Sequence, residues 1–203
     1  MNTRTLYPLL RSTAHAITWR PIVLGAALAP AVLLLPEALT PRLTETHLTM
    51  LARLAAICLA LGAAFLLDDP AVRSIPAVPT SRLTRNLVRI TIAGPGVALW
   101  WVLTLTLART TGHHAAAENL PVAALTLEAT TLLAAALAVA AIAQRRTEDG
   151  NTGVIAAPAV LLLAGVAWFQ PRPVELWTAA HHLWAAALAT ALLLFLWAGH
   201  EPR

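Results

Sequence analysis

The sequence predicts an all-α integral membrane protein of six transmembrane helices with both termini cytoplasmic, and three observations predict it. Hydrophobic residues make up 58% of the 203-residue chain and charged residues 12%, against roughly 25% charged in an ordinary soluble domain. The apolar residues fall into six continuous runs, each near the roughly 20 residues that cross a bilayer as a helix. The 14 basic residues, every one an arginine, alternate in density from one connection to the next, as topology signals do. So apolar a chain cannot cover its own surface in water, which excludes a soluble globule. Disorder is excluded because disordered chains are polar and charged, and a membrane β-barrel because the runs are continuous rather than alternating.

Residues 1–203 form a single transmembrane domain. Its first segment, 1–20, is too polar to cross. Leu6, Leu9, Leu10, Thr13 and Ile17 fall near helical spacing, with Arg4, Arg11 and His15 away from them. That pattern reads as an interfacial amphipathic helix ending where the chain turns into the membrane at Arg20-Pro21. The first span, about 21–39, is longer than a signal-peptide core and lacks a clear small-x-small cleavage site, so it reads as retained. The second runs about 48–67, the third about 87–108, the fourth about 121–143, the fifth about 153–169 and the sixth about 180–199. The odd-numbered spans carry interior prolines, Pro30, Pro95 and Pro158. Gly94-Pro95-Gly96 is the strongest helix interruption and the candidate hinge; prolines in spans otherwise only kink them.

Ten of the 14 arginines precede span one, join spans two and three or begin span three (Arg89), join spans four and five, or follow span six. These four segments share one side of the membrane, which the positive-inside rule makes the cytoplasmic side. The formal net charge of +4 is therefore an orientation signal spread along the chain, not a nucleic-acid footprint. Trp19 and Trp197 fall near the inner interface and Trp168, Trp177 and Trp184 near the outer one.

The sequence holds no lysine, which removes Schiff-base chemistry and the phosphate-loop lysine. No catalytic constellation is present, and no cofactor is expected. Cys58 is one cysteine in an apolar run, a small core hydrophobe. His113-His114 and His181-His182 fall on the outer side, but adjacent helical histidines point apart and no carboxylate spacing supports them, so no metal site is expected. Arg53 and Glu128 lie inside spans two and four at similar depth, roughly 8–11 Å from the outer interface at 1.5 Å per residue. Intramembrane charges are costly and face partners or water. They read as an ion pair between the two spans, or with Arg53 snorkelling to the interface; the functional alternative is a substrate- or proton-binding pair.

The connection 68–86 carries most information. Asp69 followed by Pro70 makes a helix start, and Pro76 stops that helix two turns later. Pro79-Thr80-Ser81 then opens a second helix, with Arg82, Arg85 and Arg89 at three- and four-residue spacing on one basic face. Such a segment is either a docking knob for a cytoplasmic partner or a plain turn with a positive-inside arginine cluster.

In layout the chain resembles the permease subunit of ATP-binding-cassette exporters of the drug- and polysaccharide-efflux type. The wording of 66–90, LLDDPAVRSIPAVPTSRLTRNLVRI, is similar to the equivalent loop of small actinobacterial permeases, and an alanine-rich, all-arginine composition suits such a source. The resemblance implies that Asp68, Asp69, Pro70, Arg73, Arg82 and Arg85 contact a separately encoded nucleotide-binding ATPase. It also implies that two permeases pair, as a homodimer or with a sister chain, around a substrate path. The chain departs from larger members in the short 170–179 connection, which cannot form their re-entrant external hairpin. The alternative is a non-transporting scaffold, accessory or immunity subunit of a larger membrane complex.

Overall fold

The computed structural model describes residues 18–39, 44–68, 81–111, 119–147, 150–168 and 181–200. Among them every regular element is helical: α1 Trp19–Leu39, α2 Glu45–Ala64, α3 Arg82–Thr111, α4 Val122–Arg146, α5 Gly153–Trp168 and α6 His181–Gly199. Each coincides with one of the six apolar runs. Five of them, α1 to α4 and α6, are long and apolar enough to cross a membrane. α5 is as apolar but has 16 residues, about 24 Å at 1.5 Å per residue, short of a hydrocarbon core roughly 30 Å thick.

The ends of the helices follow local chemistry. Thr44 caps α2, its hydroxyl accepting from the His47 N–H at 3.4 Å, so the helix starts three residues before the apolar run. After Ala64 the chain tightens through Phe65 N–H to Gly62 O (3.4 Å), Leu66 N–H to Ala63 O (3.0 Å) and Asp68 N–H to Phe65 O (3.2 Å), the i→i+3 pattern that commonly ends helices. Ser81 caps α3 by accepting from the Thr84 N–H at 3.2 Å. Gly150 supplies the left-handed turn (φ 70°) before α5. α1 begins at Trp19 and runs through Pro21, so the chain does not turn at Arg20-Pro21. Proline is accepted there because N–H groups of a first turn have no acceptor within the helix. Residues 1–17, which carry the expected interfacial helix, lie outside the described residues.

α2 and α4 form the centre. In each, 56% of the apolar window is buried, against 17% in α1 and 22% in α3 and α6. α2 packs against α1, α3, α4 and α5; α4 packs against α2, α5 and α6; α3 also meets α1 and α6. The core is built of small residues such as Ala52, Ala55, Ala60, Ala63, Ala136 and Ala140. In a bilayer, lipid is as apolar as leucine, so helices associate by close van der Waals contact, which small side chains permit. α1 and α2 approach each other closely, backbone to backbone. A Cβ on Gly25 would stand 2.5 Å from the Cys58 carbonyl oxygen, and one on Gly62 2.9 Å from the Pro21 oxygen.

Hydrogen bonds gather six helix termini at one end. Thr18 Oγ1 donates to Phe65 O at 3.4 Å, Arg82 to Gln144 O at 3.2 Å, Thr152 to Asp68 at 2.9 Å, and Arg145 to Ala198 O at 2.6 Å. Consecutive helices are thus antiparallel. Arg20, Arg82, Arg85, Arg89, Arg145 and Arg146 all belong to this basic end, with exposed Trp19 and Trp197 beside them. Arg109 belongs to the far end and Arg53 lies between.

Candidate functional site

Among the described residues, two polar loci stand out in the apolar bundle. The first joins α2 to α4. Arg53 stands eight residues into α2 and Glu128 six into α4, about 12 and 9 Å from their far-end termini. The helices approach closely enough here for Arg53 Nε to donate to Glu128 Oε2 at 3.1 Å and Nη2 to Oε1 at 3.4 Å. Both groups are buried, 7% and 2% exposed. The two-point guanidinium–carboxylate geometry fixes orientation as well as distance. Of the readings open in the sequence, the structure realises the ion pair rather than snorkelling.

α6 closes over this pair. Thr131, one turn beyond Glu128, donates to Leu127 O at 2.7 Å and to Trp184 O at 3.3 Å. His181, the first residue of α6, lies within electrostatic range of Glu128. Three helices therefore share one desolvated, locally neutral node. Prising it open leaves two buried charges uncompensated unless an incoming group replaces one of them. His113 and His114 fall outside the described residues, while His181 and His182 are exposed at the start of α6.

The second locus lies at the basic end. Asp68 is 7% exposed, and its Oδ1 accepts from the Thr152 hydroxyl at 2.9 Å and the Gly153 N–H at 2.7 Å. A carboxylate at this position satisfies an orphan donor of α5 and faces the positive end of its dipole. The backbone of the same turn is held from two other helices. Arg89 donates to Leu67 O at 2.8 Å and Asp68 O at 3.0 Å; Gln144 donates to Leu67 O at 2.7 Å. Asn86 in turn donates to Gln144 Oε1 at 3.0 Å. One turn of chain after α2 is thereby tied to α3, α4 and α5.

These contacts divide the residues that the sequence groups as one docking surface. The Asp68 carboxylate faces inward and braces α5. Arg82 and Arg85 are exposed, whereas Arg89, the third member of the expected basic face, is buried. Asp69, Pro70 and Arg73 lie outside the described residues. Gly94, Pro95 and Gly96 sit inside an unbroken α3, and nothing approaches a Cβ on Gly94 closer than Ile90 at 3.8 Å. The helix passes through the predicted interruption without a break.

Sequence reasoning missed Asn86, Gln144 and Thr152, because each adjoins a charged or polar connection and reads as flanking polarity. The signal was present in Asn86 and Arg89, three residues apart and so on one side of a helix entering the membrane. No protein-family model, curated protein or solved structure matches the chain.

Proposed function

We propose that the chain is a six-span subunit of the cytoplasmic membrane, with its basic end and both termini cytoplasmic, and that it serves as the permease of an ATP-binding-cassette exporter. α5 spans by local thinning of the bilayer or by extension through its flanking residues. The moving work is supplied by a separately encoded ATPase that docks on the connection between α2 and α3, with Arg82 and Arg85 in the contact. A homodimer or a pair with a sister permease frames the substrate path.

The observation that carries this reading is the anchoring of that connection. Before it, Leu67 and Asp68 are bonded to α3, α4 and α5; after it, Ser81 caps α3 and Arg82 bonds to the end of α4. A displacement applied between these anchors is transmitted to three helices at once, which a coupling segment requires. Purification of the tagged chain from its native membranes tests it. ATP hydrolysis accompanies the chain and is lost in Arg82→Glu/Arg85→Glu; a chain that purifies without a nucleotide-hydrolysing partner contradicts it.

A second reading is favoured by the Arg53–Glu128 node. Two intramembrane charges spent on one another, in a centre of closely packed α2 and α4, suit a non-transporting accessory subunit. That reading predicts a stable membrane complex whose composition does not change with nucleotide.

A further inference from the structure

A groove of about 410 Å³ runs along the outer face of the bundle between α1 and α3, walled by Pro30, Trp100, Leu103, Thr104, Thr106 and Thr110 among others. Its polar wall residues are turned to internal partners. The Trp100 indole N–H donates to Ala26 O, Thr104 to Trp100 O at 2.8 Å, Thr106 to Leu103 O at 2.8 Å and Thr110 to Leu107 O at 2.9 Å. The hydroxyl protons of these threonines are thus engaged within α3, and the groove offers mainly hydrocarbon contact. It belongs to the half of α3 remote from the basic end, extending about 15 Å from Trp100 to Thr110. Beside its terminal residue stands Arg109, exposed, in the last turn of the helix.

We propose that this groove binds one acyl chain of an anionic phospholipid, whose headgroup phosphate pairs with Arg109. Three features select that occupant. The wall is apolar and faces what would be the bilayer. At about 30 Å³ per water-sized group the volume holds about 14 methylenes, one chain rather than a helix. Arg109, next in the chain to the wall residue Thr110, complements an anionic headgroup, and a guanidinium donates to a phosphate at two points. The inference is independent of whether an ATPase drives the protein.

Wild-type protein and Trp100→Phe, reconstituted in phosphatidylcholine vesicles containing a minor fraction of dibrominated phosphatidylglycerol or dibrominated phosphatidylcholine, isolate the Trp100 quenching by difference. The brominated anionic lipid quenches Trp100 about fivefold more effectively, the preference expected of one interfacial arginine, and Arg109→Gln removes the preference. Equal quenching by both lipids means ordinary solvation by the bilayer and overturns the proposal. Quenching by neither means that a second copy of the chain covers the groove, which also overturns it. Native mass spectrometry on the unaltered protein gives a readout that does not depend on the Trp100 variant: phosphatidylglycerol is retained over phosphatidylcholine, and Arg109→Gln abolishes the difference. Equal retention contradicts the proposal.

Discussion

Trp100 donates its indole N–H to the carbonyl of Ala26, the group that Pro30 leaves without its usual helical donor. Proline at position i removes the bond to the carbonyl at i−4, and inside a membrane an unpaired carbonyl must be satisfied by a neighbouring helix. α3 supplies that donor to α1. Trp100→Phe therefore destabilises the protein by about 1 kcal/mol, the scale of interhelical hydrogen bonds in membranes. In Pro30→Ala the backbone donor returns and the same tryptophan substitution costs much less. Unfolding of the four proteins of this double-mutant cycle in mixed detergent micelles measures the coupling; additive effects would show that the bond does not answer to Pro30.

The Arg53–Glu128 pair gives an asymmetric prediction. Glu128→Ala leaves a buried guanidinium and costs about 3–5 kcal/mol, whereas Arg53→Met/Glu128→Leu, which removes both charges at similar volume, is near neutral or stabilising. Thermal unfolding in detergent separates the two. If the double variant retains stability but loses the activity of the assembled complex, the node is functional and not merely cohesive.

Glycines in α1 and α3 behave oppositely. Gly25→Ala forces its new methyl against the Cys58 backbone and costs about 1–3 kcal/mol by overpacking. Gly96→Ala meets nothing within 4 Å and stabilises the helix by up to about 1 kcal/mol. Comparison of their melting temperatures, with function measured alongside, also tests the hinge expected at Gly94-Pro95-Gly96: a functional hinge there would make Gly96→Ala more stable and less active.

Asp68→Ala removes the acceptor for Thr152 and for the first N–H of α5, at a cost of about 1–3 kcal/mol. Asp68→Asn keeps an oxygen in place and loses less. Hydrogen exchange of the first turn of α5 reports the change locally, and unaltered protection of Gly153 in Asp68→Ala would show that the carboxylate is dispensable to the helix.

The helices were legible because a bilayer enforces a single rule, an apolar run of fixed length, and that rule is written residue by residue. Arg53 and Glu128 were legible as a pair for the same reason: any charge in such a run must have a partner, and equal depth named it. The role of Asp68 was not legible. Its neighbours Asp69 and Pro70 suggest an exposed helix start, while the donors that turn its carboxylate inward, Thr152 and Gly153, are more than 80 positions away and carry no charge. Gly94-Pro95-Gly96, the strongest interruption in the sequence, falls inside a continuous α3, because spans tolerate glycine and proline. The Trp100–Ala26 bond needed the relative height of two helices, which periodicity does not encode.

The central claim, that the anchored α2–α3 connection couples this membrane subunit to an external ATPase, is tested most directly by ATP hydrolysis of the complex purified from native membranes and reconstituted in vesicles. Hydrolysis by wild type should fall severalfold towards that of the isolated ATPase in Asp68→Ala, whose brace is broken, with the ATPase still bound. Hydrolysis that is unchanged in Asp68→Ala, or a chain that binds no ATPase at all, would contradict the account.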